Sequence, residues 1–276
     1  MSFFDLAKFK SDSAVTYHLL AEALRRGHNN RSHFVGDPDY YDVPLEQLLS
    51  KERTKELAKT IDLKKATKST VVKPLELIKE SRDTTHYSIV DSEGNAVSNT
   101  YTLGYSFGSG VTIPGTGILM NNQMNNFAYR YGDKKERGRG ASTGNRFESG
   151  KNPMSTMAPT MIFNKEGELI LVTGSPGGSL IPAAILRVIT GVNDFNLDIG
   201  QATMLPRVHK DWPTTGILYE RALNSDVVRI LNKGIGHKMT PEHTMGSTQS
   251  IHIINNVKYG YADLRRPGAS VATQEN

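Results

Sequence analysis

The sequence predicts an α+β protein in which strands are grouped and flanked by helices. Three observations carry this. Residues 84–130 and 155–178 consist of short β-rich runs broken by tight-turn signals. Residues 1–83 show helical patterning and are rich in Lys and Glu, and residues 179–276 mix helices with a last hairpin. Strands that come in groups, not in alternating βαβ units, favour segregated layers over a doubly wound parallel sheet.

The elements follow in order. Val15, Leu19, Ala23 and Leu24 fall on one face of a helix over Asp12–Arg26, with Gly27 placed where a left-handed cap would end it. Gly36-Asp37-Pro38-Asp39 reads as a turn. A second helix follows Pro44 through Leu45, Leu48 and Leu49, and a third runs from Lys51 to Ile61. Lys64–Asp83 is polar, contains Pro74 and reads as an exposed connector. At Thr84 the pattern changes. His86–Asp91 and Ala96–Leu103 form a hairpin around Ser92-Glu93-Gly94-Asn95. Thr160–Phe163 and Leu169–Thr173 form a second around Asn164-Lys165-Glu166-Gly167. Gly174–Gly178 leads into an apolar helix near Leu180–Ile189, and Ser250–Ile254 pairs with Val257–Tyr261 around Asn255-Asn256.

Composition narrows the chemistry. The chain has 276 residues, 37% hydrophobic and 22% charged, which suits one large or two small globular domains. It has no cysteine, so disulfides, thiolate metal sites and cysteine nucleophiles are excluded. No apolar run is long enough to span a bilayer, and the first residues lack the apolar core of a signal peptide. The net charge is +5, partly from Arg130–Lys151, where seven basic residues meet three acidic ones. This stretch reads as a solvated loop. Nucleic-acid surfaces show denser basic patches interleaved with exposed aromatics, so no nucleic-acid partner is expected.

Two local features could carry chemistry. Gly174-Ser175-Pro176-Gly177-Gly178 lies between a strand and a helix, a geometry that turns backbone N–H groups toward an anion. It is neither a Walker loop nor a dinucleotide fingerprint. On spacing alone, a tight strand-to-helix turn is the favoured reading. Thr84-Thr85-His86 heads a strand, where threonine is favoured by β-propensity alone, and His86 reads as structural. The eight histidines show no HExxH or comparable spacing, and His237 and His243 are too loosely spaced for ligands. No transition metal and no cofactor are therefore expected.

Six segments together resemble the γ-glutamyltransferase family: Thr84–Ser88, Thr100–Leu103, Gly117–Gln123, Pro153–Thr160, Leu171–Ser179 and Met245–Ser250. Each is short, but they stand in the family's order and near its spacing. The resemblance divides the chain into 1–83, like the end of the family's large subunit, and 84–276, like a complete small subunit. It implies the αββα sandwich of N-terminal-nucleophile hydrolases, incomplete here because most of the large subunit is missing before Met1. It implies self-cleavage between Asp83 and Thr84, with Thr84 then acting as nucleophile on γ-glutamyl amides such as glutathione. Water, an amino acid or a peptide amine would be the acceptor. By the same resemblance Thr102 orients Thr84, and Gly177 and Gly178 supply oxyanion N–H groups. Ser155 and Thr156 would hold the substrate α-carboxylate, and Gly104, Gln123 and Asn126 would line its pocket. A separate chain carrying the missing large-subunit part is an implied partner. Family members are commonly periplasmic or extracellular.

The sequence departs from the family at two of these positions. Asn126 stands where an aspartate commonly pairs with the substrate α-ammonium, and Gly104 replaces a side chain, often Asn. An amide accepts a hydrogen bond but brings no charge, which weakens glutamyl selectivity. The alternatives this leaves open are a related acylase with altered acyl selectivity and an inactive remnant.

Overall fold

The computed structural model describes residues 1–68, 83–130, 136–138, 143–212 and 216–274. In chain order the helices and strands are α1 (Ala14–Phe34), α2 (Leu45–Leu49), α3 (Lys51–Lys59), β1 (Thr85–Val90), β2 (Ala96–Tyr101), β3 (Ala128–Arg130) and β4 (Glu136–Gly138). They continue with β5 (Thr160–Phe163), β6 (Leu169–Thr173), α4 (Ile181–Asn193), α5 (Ile199–Met204), β7 (Val208–His209) and β8 (Gly216–Glu220). The last are α6 (Ser225–Arg229), β9 (Lys238–Glu242), β10 (Gln249–Ile254) and β11 (Val257–Ala262). The α+β character is as expected. Most of the connector Lys64–Asp83 lies outside the described residues.

The chain forms two compact units, each discontinuous in sequence. One comprises Met1–Glu80, Asn122–Ser155 and Val208–Glu242; the other comprises Ser81–Asn121, Thr156–Arg207 and His243–Asn276. They are called here the α1 unit and the α4 unit.

The α4 unit is built on a sheet of order β11-β10-β6-β5. Each of its hairpins is closed by local polar chemistry. Asn164 Oδ1 accepts the Glu166 and Glu168 N–H groups between β5 and β6. Asn255 and Asn256 take φ of 50° and 64° between β10 and β11, the left-handed pair of a type I′ turn. Helix α4 starts with Pro182 in its first turn, where a missing N–H costs nothing. Asp198 caps α5 by accepting the Gln201 N–H at 2.8 Å. Leu171 of β6 packs with Val188 and Val192 of α4 and Ile199 and Ala202 of α5, joined by Ile162 and Tyr261. Burying each large aliphatic side chain contributes about 1.5–3 kcal/mol. The β1–β2 hairpin joins this sheet through side chains. Ser88 Oγ donates to the Gln249 carbonyl at 2.9 Å, and Ser98 Oγ to that of Thr173 at 3.0 Å.

In the α1 unit, α1 packs against β7 and a π-turn over Ile230–Ile235. Ser13 Oγ caps it by accepting the Thr16 N–H. The helix does not stop at Gly27 as the sequence suggested; it runs on to Phe34. Mid-helix glycine costs only about 1 kcal/mol, and burial of His28 and Ser32 beyond it holds the continuation in place. The sheet order is β7-β8-β9, and β8 runs parallel to β9. A short β-α-β unit thus corrects the expectation that alternating units are absent. Pro241 in β9 disguised it, because proline demotes a strand reading, yet β9 is an edge strand where proline is tolerated. In the stretch Arg130–Lys151, Thr143 and Arg146–Gly150 are exposed, as expected of a solvated loop. Among its described residues, Gly144 and Asn145 are buried, and β4 pairs with β3.

Candidate active site

The start of β1 gathers the first group of expected site residues. Thr84 is 9% exposed. Its Oγ1 donates to Thr102 Oγ1 at 3.2 Å, and Thr102 Oγ1 donates in turn to the Asp83 carbonyl oxygen at 3.0 Å. The Gly104 N–H donates to the same Thr102 oxygen at 2.9 Å. With two donors arriving, the Thr102 proton is directed at Asp83. The three hydroxyl and carbonyl groups therefore form an ordered relay, Thr84 to Thr102 to the carbonyl of the Asp83–Thr84 peptide bond. The β1–β2 register makes this possible. Thr85 lies opposite Tyr101, which sets Thr84 beside Thr102. Ser106 Oγ hydrogen-bonds to Asp83 Oδ2 on the other side.

The Gly174–Gly178 turn sits at the same end of the sheet. The His86 ring lies against Gly174, where an added methyl carbon would meet ring atom Cε1 at 2.1 Å. His86 Nδ1 hydrogen-bonds Thr100 Oγ1 at 2.7 Å and Nε2 meets Ser88 Oγ at 3.1 Å. Burial pushes His86 down to about 4, so it is neutral at pH 7. It is a packing residue, as expected from sequence. Gly177 and Gly178 take φ of 137° and 57°, conformations that side-chain-bearing residues rarely adopt. The turn is braced by the Met245–Ser250 segment. The Ser247 N–H donates to Ser175 Oγ at 2.9 Å and the Gln249 N–H to the Gly174 carbonyl at 3.1 Å.

Three side chains that brace this region escaped sequence reading. Arg266 Nη1 donates to the Thr84 carbonyl at 2.9 Å. Arg207 and Asp263 form an ion pair of 2.7 Å that excludes water completely, and Asp263 Oδ2 also accepts the Thr248 N–H. Burial pushes the Asp263 carboxyl up, but Arg207 and Arg265 outweigh it and hold the group below its usual range. The pair anchors the segment after β11 from which Arg266 reaches Thr84. The only signal was the charge run Asp263-Leu264-Arg265-Arg266 directly after a strand.

Other expected residues belong to the α1 unit. Asn126 is buried and donates through Nδ2 to Gln123 Oε1. Asn145, fully buried, donates to the Asn126 carbonyl at 2.8 Å and accepts the Met154 N–H at 2.9 Å. Asn145 therefore ties the Gln123–Asn126 segment to the residue preceding Ser155. Ser155 is exposed, whereas Thr156, assigned to the α4 unit, is buried. Among the described residues two groups bring together potential metal ligands: His18, Glu22 and His237, and His28, His209 and Asp211.

A threonine heading a strand, linked through a second threonine hydroxyl to the carbonyl of its own preceding peptide, on a layered α+β scaffold, is the arrangement of an N-terminal-nucleophile hydrolase. The comparisons agree. The family model described as gamma-glutamyltranspeptidase matches residues 1–273, and the chain belongs to that family. The glutathione hydrolase proenzyme of Escherichia coli K12 is 38% identical over 264 residues, covering 95% of this chain and 45% of the relative. The gamma-glutamyltranspeptidase of Pseudomonas nitroreducens, solved in complex with L-DON, superposes with a TM-score of 0.62 at 36% identity, covering 69% of this chain and 100% of that one. The cephalosporin acylase of Bacillus halodurans superposes with a TM-score of 0.78 at 26% identity, covering 99% of this chain and 48% of that one. The chain thus spans about half the length of the curated relatives it matches.

Proposed function

We propose that the chain is a proenzyme of γ-glutamyl hydrolysis and transfer that cuts itself between Asp83 and Thr84. The observation that carries this is the relay from Thr84 Oγ1 through Thr102 Oγ1 to the Asp83 carbonyl. In the first step Thr84 Oγ1 attacks the Asp83 carbonyl carbon. The Thr102 hydroxyl stabilises the charge that develops on the carbonyl oxygen. The C–N bond breaks, the Thr84 nitrogen takes the proton that the attacking hydroxyl gives up, and an ester joins Asp83 to the Thr84 side chain. Water hydrolyses that ester and leaves residues 1–83 and 84–276 as separate chains. The share of this chain matched by the Pseudomonas nitroreducens structure, which is covered end to end, is close to the share that follows Asp83.

The second activity needs the first. A threonine hydroxyl is a poor nucleophile at neutral pH. Cleavage frees the Thr84 α-amino group, whose ordinary pKa of about 7.7–8.0 makes it a base at working pH. Thr84 then attacks a γ-glutamyl amide such as glutathione and releases the amine. Water or an incoming amine resolves the ester. Gly177 and Gly178 supply the N–H groups for the oxyanion, Thr102 orients Thr84, and Arg266 holds its backbone. The family resemblance assigns Ser155 and Thr156 to the substrate α-carboxylate, and Gly104, Gln123 and Asn126 to substrate binding. The half of the relatives' length not present here, in the same polypeptide or another, completes the site.

Release of the chromophore from a γ-glutamyl anilide tests this reading, with the remaining half supplied in trans. Thr84→Ala abolishes release. Thr102→Val lowers it about 10²–10³-fold, the cost of one lost positioning hydrogen bond in a charge-stabilising site, while Thr102→Ser restores it. Release that survives Thr84→Ala overturns the assignment. Asn126, uncharged and hydrogen-bonded to Gln123, favours a second reading as an acylase. That reading requires faster turnover of an acyl amide lacking the α-ammonium than of the γ-glutamyl amide.

A further inference from the structure

The two groups of potential metal ligands look alike in composition but differ in what their atoms already do. In the first, every hydrogen bond has a defined direction. His18 Nε2 lies 2.8 Å from the Asp62 carbonyl, which can only accept, so Nε2 carries the His18 proton. His18 Nδ1 is then the acceptor for His237 Nε2 at 2.7 Å. His237 Nδ1 in turn accepts from Lys210 Nζ at 3.2 Å, and Lys210 also pairs with Glu22 at 3.0 Å. Arg26 lies 2.6 Å and Arg25 3.8 Å from the same carboxylate. Each lone pair in this chain is used, and three cations surround the one acid. A metal ion would have to break the relay and meet that positive charge.

The second group is different. His28 projects from α1, and His209 and Asp211 come from β7 and the residues after it. One ligand atom from each lies within 4.8 Å of the others. His28 Nδ1 and Asp211 Oδ1 are 3.5 Å apart. Ligands at 2.0–2.2 Å around a tetrahedral zinc stand about 3.4 Å from one another, so this pair is already at metal-bridging separation. His209 is 2% exposed, and its Nδ1 is buried with no hydrogen-bond partner among the described residues. A metal bond at that nitrogen would satisfy it. Asp211 is oriented by accepting the Trp212 N–H at 2.8 Å, and its side chain is 22% exposed, which leaves a route for an ion to enter. The intervening Lys210 is committed to Glu22 and His237.

We propose that His28, His209 and Asp211 form a binding site for a divalent first-row transition metal, zinc being the best fit, that ties α1 to the segment following β7. Two imidazoles and one carboxylate suit this class of ion and leave a fourth position for water. The proposal departs from the absence of metal expected from histidine spacing. His28 and His209 stand 181 positions apart in the sequence, so no local motif could announce them.

The test uses the full chain stripped with chelator and titrated with zinc chloride by calorimetry, then with cobalt chloride by visible absorption. The expected result is one equivalent of zinc, a raised melting temperature, and a cobalt d–d band of a low-coordinate nitrogen and oxygen site. His28→Gln and Asp211→Asn each weaken zinc binding about tenfold or more, since even outer-shell partners of a metal are worth that much. Asp211 is partly exposed, so its variant folds if the His28 variant does not; circular dichroism checks both. His243→Gln, at an exposed histidine, leaves binding unchanged. Uptake well below one equivalent overturns the proposal. So does binding that survives both ligand variants, or binding lost instead with His18→Gln.

Discussion

Helices α1 and α4 are both buried, but for opposite chemical reasons. Helix α4 is apolar and meets Leu171, Ile199 and Ala202, so its position is set by area removed from water. Helix α1 buries Glu22, Arg25, His18 and His28 alongside Leu19, Leu20 and Leu24. Its polar residues recur at helical spacing, so one stripe of α1 is a row of ionisable groups facing inward. Hydrophobic burial tolerates many partners of similar size. A buried acid tolerates only a neighbour that returns its charge and fills its lone pairs. The first kind of packing is written in local pattern, the second in partners far away in sequence.

The largest effect that could break this comparison is Glu22→Leu. It leaves Lys210, Arg25 and Arg26 without their common acid, and the expected loss is about 4 kcal/mol in urea denaturation. A nearly neutral result would mean that α1 is held by its leucines alone. Next, Leu171→Ala in the α4 unit is expected to cost about 3 kcal/mol, from lost transfer energy plus a cavity.

The two units also differ in their acid response. Burial pushes the Glu22 carboxyl up, but Lys210, Arg26 and Thr67 prevail and hold it at about 2, below the 4.5 of the free side chain. A depressed acid contributes stability above its unfolded value and loses it as pH falls toward the folded one. Glu22 is therefore expected to contribute about 3 kcal/mol at neutral pH and to lose it between roughly pH 4.5 and 2. His86 and His237 are buried neutral, pushed down to about 4 and about 3, mainly by desolvation. Their contribution is complete above 6.5 and disappears as pH falls through those values. Denaturation midpoints measured against pH should thus fall from about 6.5 downward, and Glu22→Gln should flatten only the lower part. The smallest effect is expected at Asn256→Gly. It relieves a left-handed residue in an exposed turn and should change stability by under about 1 kcal/mol, read as a small shift in melting temperature.

Legibility in the sequence followed the same division. The β5–β6 pair matches its expected span at both ends, and β10–β11 and the start of α4 lie within a residue or two, because alternation, turn residues and apolar runs are local signals. In the α1 unit, Leu45–Leu49 and Lys51–Lys59 were visible from Pro44 and helical spacing. The extension of α1 past Gly27 and the parallel β8–β9 pair were not, since both depend on distant partners. At the candidate site, Thr84, Thr102 and Gly104 come together in space. Arg266 and the Arg207–Asp263 pair stayed hidden, because a charge run after a strand does not say what it will meet.

In the proposed processing step Thr84 attacks its own preceding peptide bond. Intact-mass spectrometry of the purified chain at neutral pH, with the relatives' remaining half supplied in trans, tests it most directly. Two fragments that separate between Asp83 and Thr84 are expected, together with a Thr84→Ala chain that stays whole. A parent chain that stays whole under those conditions, or a Thr84→Ala chain cut at the same bond, would contradict it.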